Sequence, residues 1–115
     1  MPEIFVSIKP LKSFFTRLMP KIAIYKYLTF YFFTADWFGS EPPHLHVSNT
    51  KRRGKSAKIW IETLQFSETG DLNQQDLNLV EKLIATNQNS LLKSWESVKA
   101  GHAVKPLILN LKDKK

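Results

Sequence analysis

The amino-acid sequence predicts an α+β domain, with a small antiparallel sheet of three or four strands over residues 22–66. One long or two short C-terminal helices over residues 73–99 cover one face of that sheet. Three observations carry this expectation. Aromatic and β-branched residues crowd into short alternating runs as far as Phe66, as strands prefer. Beyond Asn73 the apolar residues recur at helical spacing instead. Between the two regions, Gly70 turns the chain.

Taken in order, Ile24, Lys26, Leu28, Phe30 and Phe32 share one parity, and Tyr25, Tyr27, Thr29, Tyr31 and Phe33 the other. Both sets are apolar or amphipathic, which fits a long central strand or a bent hairpin. Asp36, Gly39, Ser40 and Pro42-Pro43 then mark a loop. His44 to Ser48 reads as a strand, Asn49 to Ser56 as a polar connection around Gly54, and Ala57 to Glu62 as a second strand. Together they form an antiparallel hairpin. Ile59 and Ile61 face the helices while Trp60 covers the outer side, and Leu64-Gln65-Phe66 extends the sheet.

Asn73 suits an N-cap and Asp76 a first helical turn. Leu77, Val80, Leu83, Ile84, Leu91, Leu92, Trp95 and Val98 form one core-facing stripe. The segment from Thr86 to Ser90 is poor in helix formers, so it is either a solvated turn of one helix or a break between two. Gly101 ends the helical region. Leu107-Ile108-Leu109 can add a short strand, and the final lysines are expected to fray.

A chain of 115 residues is the size of one domain. We divide it into an N-terminal extension at 1–18, a single domain at 19–100 and a tail at 101–115. Met1-Pro2-Glu3-Ile4 is echoed by Met19-Pro20-Lys21-Ile22, which favours Met19 as the natural start over Met1. The absence of cysteine excludes disulfides, iron–sulfur clusters and thiolate zinc sites, and fits a reducing cytoplasm. The apolar run from Ile22 to Phe38 contains Lys26 and Asp36 and is shorter than the roughly 20 residues that span a bilayer, so no membrane segment is expected. A net charge of +7 points to an acidic partner such as nucleic acid.

The chemistry-bearing residues centre on Glu41-Pro42-Pro43-His44-Leu45-His46-Val47. Residues two apart on a strand share a face, so His44 and His46 could together hold a metal. A catalytic zinc site needs three protein ligands and a structural one four. Glu62, Asp36 and His102 are candidates for a third, and none is fixed by local spacing. One histidine could instead act as general acid or base beside Lys58, the chemistry of metal-independent ribonucleases. Lys51, Arg52, Arg53, Lys55 and Lys58 form an acid-free basic cluster that could contact phosphates, with Trp60 and Phe38 as stacking surfaces. Against these stands the commoner role of such residues, with histidines as parts of a sheet face and bases as a solvated loop that protects strand edges. The sequence contains no phosphate-binding glycine loop, H-E-x-x-H, G-x-S-x-G or dinucleotide fingerprint, and no cofactor is implied.

The order Met19-Pro20-Lys21-Ile22, an aromatic strand, Glu41-Pro42-Pro43-His44-Leu45-His46-Val47, then Ala57-Lys58-Ile59-Trp60-Ile61 and a helical segment ending near Trp95 resembles the bacterial domain of unknown function 4160 family. The resemblance covers about residues 19–98. It implies a compact α+β domain of the bacterial cytoplasm, in some members encoded beside another small protein in a toxin–antitoxin-like pair. It supplies no catalytic residues. It supports Met19 as the start, and it sets residues 1–18 and the tail after Gly101, with His102, outside the family pattern. Three functions follow as expectations. The first is an interaction module with a small partner protein. The second is a nucleic-acid-binding or ribonuclease-like domain using His44, His46 and the basic hairpin, and the third a metal-binding domain using the His-x-His pair.

Overall fold

The computed structural model describes residues 19–33, 41–51 and 54–111. The expected extension at 1–18, Asp36 and Phe38 of the loop, and Arg52 and Arg53 of the connection lie outside the described residues. The elements are β1 (Lys21–Tyr25), β2 (Leu28–Tyr31), β3 (His44–Asn49), β4 (Ala57–Trp60), β5 (Phe66–Glu68), α1 (Gln74–Thr86), α2 (Gln88–Lys99) and β6 (Leu107–Ile108).

The architecture is α+β, but the sheet has six strands in the order β5-β4-β3-β2-β1-β6, not three or four. Nor is it purely antiparallel or confined to residues 22–66. β6 runs parallel to β1, with Ala23 opposite Leu107 and Ile24 opposite Ile108. Two physical features account for the extra strands. The aromatic run is folded in half at Lys26-Tyr27, where Lys26 takes the positive φ of 52° that a tight hairpin turn demands. The tail then returns to the edge of β1, where the Leu109 N–H donates to Ile24 O and the Leu109 side chain is buried.

Register assigns the faces. Phe30 lies opposite Val47, Val47 opposite Ala57, and Leu45 opposite Ile59, and all five are fully buried. They form one core with Val80, Leu83 and Ile84 of α1 and Leu91 and Trp95 of α2. The second parity, Tyr31, His46 and Lys58 with His44 and Trp60, faces the other way.

Two helices are present, separated at Asn87. The Asn87 side-chain amide donates to Leu83 O at 2.7 Å and to Asn110 O at 3.0 Å, which ties the break to the chain beyond β6. Poor helix formers cost about 0.5 kcal/mol each. Burying side chains such as Leu91 or Trp95 contributes about 1.5–3 kcal/mol each, so α2 resumes at once after the break. At the other end of α1, the Asn73 side chain accepts the Asp76 N–H at 2.8 Å, the expected cap.

Between β4 and β5 the chain closes a tight turn, with the Leu64 N–H donating to Trp60 O and the Trp60 N–H to Gln65 O. Leu64 sits at φ 64°, a left-handed conformation uncommon for a bulky residue. The Gln88 side-chain amide of α2 donates to Ile61 O at 2.7 Å and supports this turn. Among the described residues, no helix is long and apolar enough to cross a membrane.

Candidate functional site

The root of the β3–β4 hairpin brings together the most chemically versatile side chains. Pro42 and Pro43 lead into β3, and the His44 Nδ1 lies 2.8 Å from Pro42 O. A carbonyl oxygen only accepts, so Nδ1 carries a proton and donates it. The ring's Nε2 then faces Glu41 Oε1 at 3.7 Å, longer than a hydrogen bond. That same carboxylate oxygen accepts from Lys58 Nζ at 2.7 Å. Glu41 therefore links His44 to Lys58, two of the expected site residues.

Aromatic rings enclose this group. His44 lies 5.3 Å from the Trp60 ring and 5.3 Å from the Trp95 ring of α2, and its ring meets that of His46 edge-on at 5.4 Å. Trp95 also meets Phe32 edge-on at 5.0 Å, so one indole touches rings of both strand parities and closes this end of the sheet. His46 packs 4.0 Å from Phe33 and stacks at 6.0 Å on Tyr31. The Lys58 ammonium sits 4.8 Å over the Trp60 ring, within cation–π distance.

Burial decides what this arrangement can do. The face opposite the helices is not open at the histidines, because His44 is 0% exposed and His46 only 8%. Imidazole, carboxylate and ammonium are a set that can pass a proton, but a general acid or base must come within hydrogen-bond reach of its substrate. The His44 ring is fully enclosed, packed against Trp60, Trp95 and His46. The accessible parts of the group are the Glu41 carboxylate and the half-buried Tyr31, Phe33 and Trp60.

The other expected ligands are elsewhere. Glu62 lies in the exposed turn after β4 and His102 is exposed beyond α2. Among the described residues, no three His, Asp or Glu side chains converge as metal ligands. The basic cluster divides. Lys58, with its amine on Glu41, belongs to the root, whereas Lys51 and Lys55 are exposed in the connection.

The connection is fastened through its main chain. Thr50 N–H and Oγ1–H both donate to Tyr27 O, and the Lys51 N–H donates to Asn49 Oδ1. The Lys55 N–H donates to Asp71 Oδ2 at 2.7 Å while the Asp71 N–H returns a bond to Lys55 O. Gly70 makes this clamp feasible. It holds φ 57°, and a Cβ there would meet Ser56 O at 2.4 Å and Lys55 O at 2.5 Å. Beneath the connection, the buried Asp76 carboxylate accepts from Asn49 Nδ2 at 2.9 Å and from the Tyr27 hydroxyl at 3.3 Å. Sequence reasoning used Asp76 only as a helix-cap acid and passed over Glu41 and Asp71. Glu41 stands three residues before His44, a local signal, whereas the Asp71 and Asp76 links span 16 and 27 residues and need the fold.

The family described as Domain of unknown function (DUF4160) has a model that matches residues 28–96, more than half of the chain. No curated protein and no solved structure matches the chain.

Proposed function

The chain belongs to the DUF4160 family, and from that premise we propose that it is a bacterial cytoplasmic interaction module, one half of a toxin–antitoxin-like pair with a small partner protein. The observation that supports this reading is the outer sheet face at the hairpin root. There, half-buried Tyr31, Phe33 and Trp60 surround buried histidines, and the Glu41–Lys58 ion pair stands among them. Aromatic side chains ringed by a few fixed charges are what protein interfaces select for, because they bury much area at little cost in side-chain entropy. The burial of His44 weighs against the ribonuclease-like use of the same residues.

Co-expression with the protein encoded beside this one tests the proposal. A stoichiometric complex is expected, and Trp60→Ser should weaken it at least tenfold, as removing an interface hot spot of about 2 kcal/mol does. A monodisperse monomer that ignores its neighbour would end this reading.

A further inference from the structure

The β1–β2 turn and the β3–β4 connection meet at one end of the sheet, because Leu28 pairs with Asn49 and Thr50 bonds twice to Tyr27 O. This juxtaposition adds a base that sequence reasoning had left on a different segment. Lys26, exposed on the β1–β2 turn, joins the exposed Lys51 and Lys55. Two of the three amines lie over aromatic faces, Lys26 Nζ 5.4 Å from the Tyr25 ring centre and Lys51 Nζ 5.4 Å from that of Tyr27. The two acids bonded to this end, the exposed Asp71 and the buried Asp76, accept from neutral donors, Asp71 from the Lys55 N–H and Asp76 from Asn49 and Tyr27. Between Glu41 and Glu62 the chain contains no acid at all.

We propose that this end of the sheet binds the phosphodiester backbone of a nucleic acid, with Lys26, Lys51 and Lys55 as its phosphate contacts. Lysine offers a point charge and no base-edge pattern, so the binding follows charge and salt and carries little sequence preference. Main-chain anchoring at Thr50, Lys51 and Lys55 means these residues need little ordering on binding, which preserves affinity. Lys58, engaged by Glu41 at the opposite end of the hairpin, is not part of this surface.

Fluorescence anisotropy of the full chain with labelled single-stranded RNA, single-stranded DNA and duplex DNA tests the site. The key comparison sets the triple variant Lys26→Ser, Lys51→Ser, Lys55→Ser against Lys82→Ser, Lys93→Ser, Lys99→Ser, which removes equal charge from exposed helix positions. Three phosphate contacts to a single strand weaken binding by about 20-fold between about 50 and 200 mM salt. The loop variant should lose that part of the salt dependence and the helix variant keep it. The preferred nucleic acid among the three probes identifies the form. The proposal fails if none of them binds, if both triples weaken binding equally, or if polyglutamate competes as well as an oligonucleotide. Should the loop triple not fold, Lys51→Ser alone, at an exposed position, carries the same comparison with about a threefold effect over that salt range.

Discussion

At its root the β3–β4 hairpin holds His44 between two indoles with no exposed surface, while at its tip it presents Lys51 and Lys55 to solvent. The root is assembled from side chains. Rings of β2, β3, β4 and α2 converge there, and the Glu41 carboxylate faces His44 while accepting from Lys58. The tip is fastened through main chain, with backbone groups of Thr50, Lys51 and Lys55 tied to Tyr27, Asn49 and Asp71. Side-chain packing removes polar groups from water, whereas main-chain anchoring leaves them outside. The histidine motif, the most conspicuous chemistry in the sequence, therefore belongs to the enclosed end, and the polar loop beside it is the accessible one.

The largest stability effect is expected at the tip. Gly70→Ala would place a methyl group within 2.6 Å of the Lys55–Ser56 backbone at a left-handed φ, where neither neighbour is a flexible side chain. Strain and the lost clamp together should cost about 3–4 kcal/mol, read as a lower urea midpoint with the slope unchanged. A variant as stable as the parent would mean the tip is not rigidly anchored. At the root, His44→Ala should cost about 3 kcal/mol, because it opens a cavity between Trp60 and Trp95. His44→Phe, which keeps a ring in that slot, should recover at least half of this. If His44→Ala unfolds at the parental midpoint yet destroys a nuclease activity, the root is a reactive site and the contrast between the ends collapses.

Much of this was legible in the sequence, and the rest divides by range. Strand parity placed Ile59 and Ile61 in the core and His44 beside His46, and the Asn73 cap and the β3–β4 pairing follow from local patterns. Those signals have periods of two to four residues. The fold in the aromatic run was harder, since Lys26 and Tyr27 are not turn formers and both parities there are apolar. The short strand expected at Leu107-Ile108-Leu109 is present as β6, but its parallel pairing with β1 spans more than 80 positions, beyond any local signal. The burial of His44 depends on Trp95, whose helical spacing predicts a core position without saying that a strand histidine shares it.

Asp76→Ala addresses the join between tip and core. It removes the acceptor of two hydrogen bonds from a 3% exposed site and leaves the Asn49 amide and the Tyr27 hydroxyl without it. A loss of about 2–3 kcal/mol is expected, with Asp76→Asn milder because it retains one acceptor oxygen. Amide exchange should localise the effect, with Thr50 and Lys51 opening more readily while Trp60 and Ile61 stay protected. Equal loosening of both ends would show that the hairpin responds as one unit.

The smallest effect is expected from the Glu41–Lys58 pair, and it is the most discriminating. The Lys58 side chain is 14% exposed but that of Glu41 is 41% exposed, so water reaches the pair from the carboxylate side and screens it. A double-mutant cycle with Glu41→Gln and Lys58→Met should return a coupling of about 0.5–1 kcal/mol that shrinks in molar salt. A salt-insensitive coupling well above that range would mean that the carboxylate is as enclosed as His44, and the root would then be sealed to a partner as well as to a substrate. A coupling near the expected value leaves the carboxylate at the boundary. There, in the interface proposed above, it would exchange Lys58 for a cation on the partner's surface, while the His44–Pro42 bond holds the segment behind it.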